Sequence, residues 1–145
     1  MVTISGKNYT KNDLLRYSSN LKQIGGISKC SYLEGKAKNL DFYNVKTGGG
    51  LEYNILPDKC LDIAAVTYKG VNISFLSKPG LIKPELAIPH HNEFTSYISG
   101  GMLFTCGLLN AGGSNVDDDG NYHPPHGKIS ITPCESSYIK EYWEN

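Results

Sequence analysis

The stretch that decides the fold runs LDIAAVTYKGVNISFL, residues 61–76. Its first part, residues 61–68, is rich in β-branched and aromatic side chains, which favour strands. Lys69 and Gly70 then provide a two-residue connection to a second run of the same character, residues 71–76. Two strand-like runs joined in this way predict a β-hairpin.

Shorter strand-like runs alternate with turn residues upstream of this hairpin. The predicted strands cover residues 27–33, 40–45 and 51–56, with turns at residues 34–36 and 47–50. This alternation predicts a meander of antiparallel strands, in which each strand pairs with the one before it.

Near the N-terminus, Thr10 followed three residues later by Asp13 resembles a capping box. The pattern predicts a short helix over residues 11–21, which Gly25 and Gly26 bring to an end. A chain of 145 residues falls within the size range of one domain. The sequence therefore predicts one domain, or part of one, over residues 1–145, an all-β chain of antiparallel strands with a short N-terminal helix.

Two further segments follow the hairpin. Residues 78–89 contain three prolines and a glycine, which predicts an ordered loop. Residues 99–108 are the most apolar part of the chain, and glycines lie close to both ends. This segment predicts a buried strand.

Composition and charge restrict the classes of partner. Fourteen basic and fourteen acidic side chains cancel, so the chain lacks the positive charge that binds nucleic acid or an anionic membrane. A small neutral or weakly charged ligand is expected instead.

The first residues do not resemble a signal peptide and no run approaches the roughly 20 apolar residues that span a bilayer, which predicts a cytoplasmic protein. The four cysteines form no CxxC pair and are expected to be reduced, mostly buried thiols.

Residues 115–127, NVDDDGNYHPPHG, form the densest polar cluster, and several interpretations are open. The spacing from Asn115 resembles the front half of an EF-hand calcium loop, but His126 replaces the bidentate glutamate. His123 and His126 suit zinc poorly, because a polyproline II segment holds residues three apart at about 9 Å. The polar groups could instead bind sugar hydroxyls while a histidine transfers a proton. The acids could also simply cap a turn, with both histidines on the surface.

A second polar group precedes the hairpin in LPDKCLDI, residues 56–63. Lys59 and Asp62 could each bind a ligand hydroxyl. Charges near a turn more often form an exposed ion pair worth under about 1 kcal/mol, and that outcome is the favoured expectation.

Eight segments, taken in order, resemble the aldose 1-epimerase (galactose mutarotase-like) superfamily, and in particular a branch labelled as a domain of unknown function. They are QIGGI at 23–27, EGKA at 34–37, TGGGLE at 47–52, LPDKCLDI at 56–63, YKG at 68–70, residues 100–110, DDG at 118–120, and HGKIS with TP across 126–133. The resemblance extends over roughly residues 12–135 and corresponds to the N-terminal half of such a protein.

The resemblance implies a β-sandwich with a carbohydrate cleft and a reaction that needs no cofactor and no metal. One group protonates the sugar ring oxygen while a base removes the anomeric hydroxyl proton. By position, His126 resembles the family's first active-site histidine, the catalytic residue of this chain. Lys59 stands where the branch usually carries arginine. The predicted sugar-binding residues are Lys59, Asp62, Asn110, Asp118, Asp119 and His123.

Such relatives are longer, and their second histidine and their glutamate base lie in a C-terminal half that this chain lacks. The resemblance therefore predicts an isomerase that interconverts the anomers of a monosaccharide if the missing half is supplied. A non-catalytic carbohydrate-binding module or a truncated remnant is the alternative. An incomplete sandwich exposes strand edges, which predicts a homo-oligomer or a complementing C-terminal half.

Overall fold

The computed structural model describes residues 1–88, 93–108 and 110–143. Within these residues the secondary structure is mostly antiparallel β-sheet, with two short helices, α1 Lys11–Leu15 and α2 Phe94–Tyr97. The predicted all-β, sandwich-like fold with a short N-terminal helix is confirmed. None of the helices in these three stretches has the length and apolar character needed to cross a membrane.

The strands in the described residues are β1 Val2–Ile4, β2 Lys7–Tyr9, β3 Gly26–Ser31, β4 Asp41–Lys46, β5 Leu51–Leu56, β6 Asp62–Tyr68, β7 Val71–Asn72, β8 Phe75–Leu76, β9 Gly100–Gly101, β10 Asn115–Val116 and β11 Tyr122–His123. Turns of 3₁₀-helix lie at Leu21–Gln23, Gly35–Ala37, Pro57–Lys59, Pro84–Leu86 and Ile129–Ile131. The predicted meander is confirmed, since β3, β4, β5 and β6 pair in sequence order.

A five-stranded antiparallel sheet in the order β3-β4-β5-β6-β7 forms the centre of the fold. β7 pairs only with the second half of β6. Beside the first half of β6, the amide of Met102 donates to the carbonyl of Ile63 at 2.8 Å, and β9 in turn pairs with β8. The β8–β9 ribbon therefore extends the sheet beyond β6.

Apolar side chains from the sheet and from the turn Gly35–Ala37 form the core. Leu40 and Leu56 are 0% and 1% exposed, and they pack with Ala37 and Ala64. Fully burying a large aliphatic side chain contributes about 1.5–3 kcal/mol, so this cluster stabilises the central strands. The partly buried side chains packed against it are Tyr32, Phe42 and Leu81.

The N-terminal helix is shorter than predicted. Its capping box is present, because the amide of Asp13 donates to the Thr10 hydroxyl at 3.2 Å and the Asp13 carboxylate accepts from the Thr10 amide at 2.9 Å. The helix nevertheless ends at Leu15 instead of residue 21. The Ser18 hydroxyl donates to the carbonyl of Asn20, whose side chain caps the next turn. Such side-chain bonds compete with helical ones and redirect the chain.

The second strand of the predicted hairpin is interrupted. Residues 69–70 make the turn, but the run that follows divides into β7 and β8. The Asn72 side chain bonds to Ser74, and the Ser74 hydroxyl accepts from the amide of Val66 at 3.0 Å. The amide of Val66 thus bonds to a side chain instead of to a backbone carbonyl of the neighbouring strand. The backbone therefore separates from β6 after β7, and β8 begins beyond this break.

The prediction of a buried strand over residues 99–108 is wrong. Only β9 is a strand within this segment. The amide of Thr105 donates to the Asp62 side chain, and the amide of Gly107 donates to the carbonyl of His126. Because these amides bond outside any sheet, the segment runs as coil and its apolar side chains remain exposed, at 47% for Met102, 48% for Leu103 and 82% for Leu108.

All four cysteines are free, as predicted for reduced thiols. The expectation that they are mostly buried is wrong. Cys106 is exposed because it lies in the coil after β9, and Cys30, Cys60 and Cys134 are half-buried.

Candidate functional site

The connection between β5 and β6 turns two charged side chains inward. The turn Pro57–Lys59 begins with proline, whose fixed φ suits the first position of a helix. Cys60 and Leu61 then adopt left-handed backbone conformations, with φ of 52° and 59°. Lys59 and Asp62 are consequently 0% and 2% exposed. The favoured expectation of an exposed ion pair is therefore wrong.

Burial dominates the electrostatics of these two groups. Burial lowers the pKa of Lys59, and the attraction of the Asp62 carboxylate only partly opposes that effect. It raises the pKa of Asp62, against hydrogen bonds from Thr105 and the attraction of Lys59. Lys59 Nζ and Asp62 Oδ2 have no hydrogen-bond partner among the described residues. A buried donor and a buried acceptor in this state cost stability until another molecule satisfies them.

Backbone hydrogen bonds hold His126 at the end of the polar loop. Its φ is 60°, a conformation that residues other than glycine rarely adopt. Its amide donates to the carbonyl of Gly112 at 3.0 Å, and its carbonyl accepts from the amide of Gly107 at 2.7 Å. The bonds from both sides fix the direction in which the imidazole leaves the backbone.

The imidazole of His126 has one nitrogen facing the loop and one ring face against an aromatic side chain. Nδ1 lies 3.4 Å from the amide nitrogen of Gly112, which is a donor. The ring centroid is 5.0 Å from that of Phe94, with an interplanar angle of 45°. Because Nδ1 faces a donor, the neutral tautomer with its proton on Nε2 is favoured. In that tautomer Nε2 is the nitrogen able to donate a hydrogen bond to a ligand.

Asn110 lies next to this histidine because Gly127 allows a close approach. The Asn110 side-chain amide donates to the carbonyl of Pro124 at 2.8 Å. A Cβ added at Gly127, where φ is 78°, would lie 2.7 Å from the carbonyl oxygen of Gly107 and 3.3 Å from Asn110 Oδ1. That Oδ1 atom is buried, and no described residue bonds to it. The loop thus places an unsatisfied acceptor beside the residue that follows His126.

One short segment connects the two polar groups. The amide of Thr105 donates to Asp62 Oδ1 at 2.7 Å, and two residues later the amide of Gly107 bonds to the His126 carbonyl. Two residues span at most about 7 Å. The structure therefore brings four of the predicted site residues to one region of the molecule, namely Lys59, Asp62, Asn110 and His126.

The other three predicted residues lie on the hairpin of β10 and β11. The Asp117 carboxylate accepts from the amide of Asn121 at 2.8 Å, and its Oδ2 lies 2.8 Å from His123 Nε2. The hydrogen bond with His123, followed by those from Asn121, lowers the pKa of Asp117 to about 2. Asp118 and Asp119 are exposed at the tip. Asp117 therefore caps the turn, whereas Asp118 and Asp119 are free to meet a ligand approaching from solvent.

Two aromatic residues of α2 join the site although no pattern in the sequence predicted them. The Phe94 ring lies 5.4 Å from that of Tyr97 and 6.1 Å from that of Phe104, in addition to its contact with His126. Tyr97 is 0% exposed, and its hydroxyl has no hydrogen-bond partner in the described residues. Burial raises the pKa of Tyr97, with a smaller contribution from Tyr122. The i, i+3 spacing of Phe94 and Tyr97 is the signal that could have identified them.

Two cavities lie away from these residues. One of about 320 Å³ lies between the N-terminus, the start of β3 and residues 140–143, and another of about 240 Å³ lies between β6 and the β8–β9 ribbon. None of the predicted site residues lines either cavity. Across the described ranges, no group of three or more metal-ligating side chains occurs. Lys59 and Asp62, at 0% and 2% exposure, are enclosed by the chain itself.

The fold and the site define an all-β protein in which buried ionisable groups adjoin a loop that carries a histidine. The chain belongs to the family described as Domain of unknown function (DUF4432), whose model matches residues 37–145. No curated protein and no solved structure matches the chain. The matched range contains β4 to β11 and all the predicted site residues.

Proposed function

We propose that this chain binds a carbohydrate and acts like an aldose 1-epimerase, interconverting the anomers of a monosaccharide with a general base supplied from outside the chain. The resemblance of its motifs to that superfamily motivates the proposal. The observation that carries it is the placement of His126. Its backbone is bonded to Gly107 and Gly112, and its Nε2 is the nitrogen left to donate.

His126 would supply the acid half of the reaction. In its protonated form the imidazole would pass the Nε2 proton to the ring oxygen of the sugar, which weakens the bond between that oxygen and the anomeric carbon, and the neutral imidazole left behind would accept from the Gly112 amide through Nδ1. A base removes the proton of the anomeric hydroxyl, the ring opens to the aldehyde, and reclosure on the other face gives the second anomer.

The buried polar atoms near His126 would bind the sugar hydroxyls. Lys59 Nζ donates only, Asp62 Oδ2 and Asn110 Oδ1 accept, and no described residue satisfies any of the three. Because these atoms are enclosed, a sugar would reach Lys59 and Asp62 when the coil around Thr105 moves aside. Displacement of that coil exchanges one backbone hydrogen bond to Asp62 for bonds to the ligand.

A carbohydrate-binding module without catalysis is the second candidate. Glu141 is a carboxylate that could act as a base, but it accepts a hydrogen bond of 2.7 Å from the amide of Ile27, at the start of β3. The start of β3 lies at the opposite end of the sheet from the start of β6, so Glu141 is not beside Asp62. Without a base beside His126, the same polar groups would hold a sugar and leave its anomers unchanged.

Anomeric exchange distinguishes the two candidates. The experiment compares the rate of interconversion of α- and β-anomers of glucose and galactose by NMR exchange, with and without the purified chain. Three proteins are tested, which are the wild type, His126→Gln and His123→Gln. His123 serves as the comparison because Asp117 binds its ring on the neighbouring hairpin, so its loss can weaken sugar binding but leaves the proton donor in place.

For the epimerase, the wild type and His123→Gln accelerate exchange above the uncatalysed rate, and His126→Gln does not. Sugar binding in calorimetry without acceleration by any of the three proteins assigns the chain to the binding module. Equal acceleration by all three removes His126 from the mechanism. Absence of binding across a panel of monosaccharides refutes both candidates.

A further inference from the structure

Two cysteines far apart in the sequence lie on neighbouring segments. The amide of Cys60 donates to the carbonyl of Thr132 at 2.9 Å, and the amide of Cys134 donates to the carbonyl of Pro57 at 2.9 Å. The two bonds run in opposite directions between the same two segments. They hold the C-terminal part of the chain against the connection between β5 and β6. Cys60 lies in that connection and Cys134 lies in the C-terminal segment.

The hydrogen bonds limit how far apart these cysteines can be. With standard bond lengths, the two hydrogen bonds keep the Cα atoms of Cys60 and Cys134 within roughly 13 Å. Disulfides form when the Cα atoms are about 4.4–6.8 Å apart. Residues 133–143 contain neither helix nor strand. The side that carries Cys134 can therefore close the remaining gap without breaking a sheet.

The sulfur atoms are also electrostatic neighbours. Burial, the Asp62 carboxylate and then Cys134 raise the pKa of the Cys60 thiol. Both thiols are free and half-buried, which leaves them accessible to a small reagent. Neither residue belongs to the proposed sugar site, although Cys60 directly follows Lys59 and the amide of Cys134 bonds to Pro57 in the same turn.

We propose that Cys60 and Cys134 form a reversible intramolecular disulfide, a redox modification site of this protein. The oxidant is a low-molecular-weight disulfide such as oxidised glutathione. One protein thiolate attacks a sulfur of the oxidant and releases one reduced glutathione. The second protein thiol, as it loses its proton, attacks the mixed disulfide and releases the other. Two protein thiols are oxidised, one disulfide of glutathione is reduced, and two glutathione thiols leave.

The disulfide would fasten the C-terminal segment to the connection that carries Lys59. It closes a long loop, from residue 60 to residue 134, and cross-links that close long loops remove the most conformational freedom from the unfolded chain. The oxidised protein should therefore melt at a temperature about 5 °C or more above that of the reduced protein. Reduction with dithiothreitol should restore the original melting temperature.

Peptide mapping tests this directly. The full chain is equilibrated with mixtures of reduced and oxidised glutathione, its remaining thiols are blocked with N-ethylmaleimide, and it is unfolded and cleaved with trypsin. Cleavage after lysine isolates Cys60 in residues 60–69 and Cys134 in residues 129–140. A disulfide between the two residues appears as one cross-linked pair of these peptides, which dithiothreitol separates.

The matched control is the double variant Cys30→Ser/Cys106→Ser, which removes the two other thiols. It should give the same cross-linked pair and the same rise in melting temperature. Cys60→Ser and Cys134→Ser should each abolish both. Recovery of the two peptides only as blocked thiols or as separate mixed disulfides with glutathione, at every ratio tested, would overturn the proposal. That outcome in the wild type suffices, whether or not the serine variants fold.

Discussion

The amide of Thr105 donates a hydrogen bond of 2.7 Å to Oδ1 of Asp62, a side chain that is 2% exposed. The bond anchors the coil after β9 to the first residue of β6. It also gives the buried carboxylate a partner for one oxygen, whereas Oδ2 has none among the described residues. The structural role of Asp62 and the electrostatic cost of burying it can therefore be separated by substitution.

Asp62→Asn and Asp62→Ala should have opposite effects on stability. Asparagine keeps an oxygen that can accept from Thr105 and removes the buried charge, so the free energy of unfolding should stay level or increase. Alanine leaves the Thr105 amide buried without an acceptor, at a cost of about 1–3 kcal/mol. Urea unfolding followed by circular dichroism measures both changes. Equal losses in the two variants would show that the charge itself holds the segment.

Lys59→Met should increase the free energy of unfolding by about 1 kcal/mol at neutral pH, while weakening any sugar binding. Burial disfavours the ammonium more than Asp62 favours it, and methionine fills similar space without a charge. Asp62, whose pKa burial raises, can then lose its own charge by binding a proton. Lys29→Met is the control, because the Lys29 side chain is 63% exposed and its pair with Asp41 is solvated. A loss of stability in Lys59→Met that exceeds the effect in Lys29→Met contradicts the expectation.

The same substitution should change the pH dependence of stability. The folded pKa of Lys59 lies below its ordinary value of 10.5, so the unfolded chain binds more protons between these two values. Stability contributed by Lys59 is therefore present above pH 10.5 and is lost as pH falls through the folded pKa. Unfolding titrations over alkaline pH should show a rising slope in the wild type that Lys59→Met lacks.

Local patterns predicted the central sheet well. The predicted strands that end at Leu56 and Tyr68 form β5 and β6 almost as expected. Each of them pairs with a strand close to it in the sequence. The capping box of Thr10 and Asp13 likewise depends on residues three apart. Strand pairs and helix caps of this kind can be predicted from sequence, because the residues that form them are only a few positions apart.

Features that depend on distant partners were missed or misjudged. The apolar segment 99–108 resembles a buried strand, yet the amide of Thr105 bonds to a side chain 43 positions away. Burial of Lys59 follows from the left-handed pair Cys60 and Leu61, a conformation that their residue types disfavour. The homo-oligomer or complementing half, and the sugar ligand, stay predictions.

Asp117→Asn should disorder the β10–β11 hairpin, whereas Asp118→Asn should leave it intact. Asp117 holds Asn121 and His123, and its pKa of about 2 reflects those bonds. This stabilisation is present above the ordinary value of 3.8 and is lost as pH falls towards 2. Amide chemical shifts of the hairpin should therefore move in acid in the wild type and in Asp118→Asn. Persistence of the native shifts in Asp117→Asn would assign the hairpin's order to other contacts.

Gly127→Ala should lower stability more than Gly120→Ala does. Both glycines have left-handed backbones, with φ of 78° and 83°, so alanine costs roughly 1–2 kcal/mol at either position from strain alone. At Gly120 the added Cβ meets nothing within 4 Å, whereas at Gly127 it would lie 2.7 Å from the carbonyl oxygen of Gly107. That second contact should add about 1–3 kcal/mol.

The Gly127→Ala substitution should also change the position of the neighbouring His126. The clash at Gly127 pushes on the same residue, Gly107, whose amide bonds to the His126 carbonyl. NMR shifts of the His126 ring should change in Gly127→Ala and stay constant in Gly120→Ala, with unfolding free energies measured on the same samples. Similar losses of stability in the two variants, together with an unchanged His126 signal, would mean that the loop gives way without cost and that Gly127 does not position the imidazole.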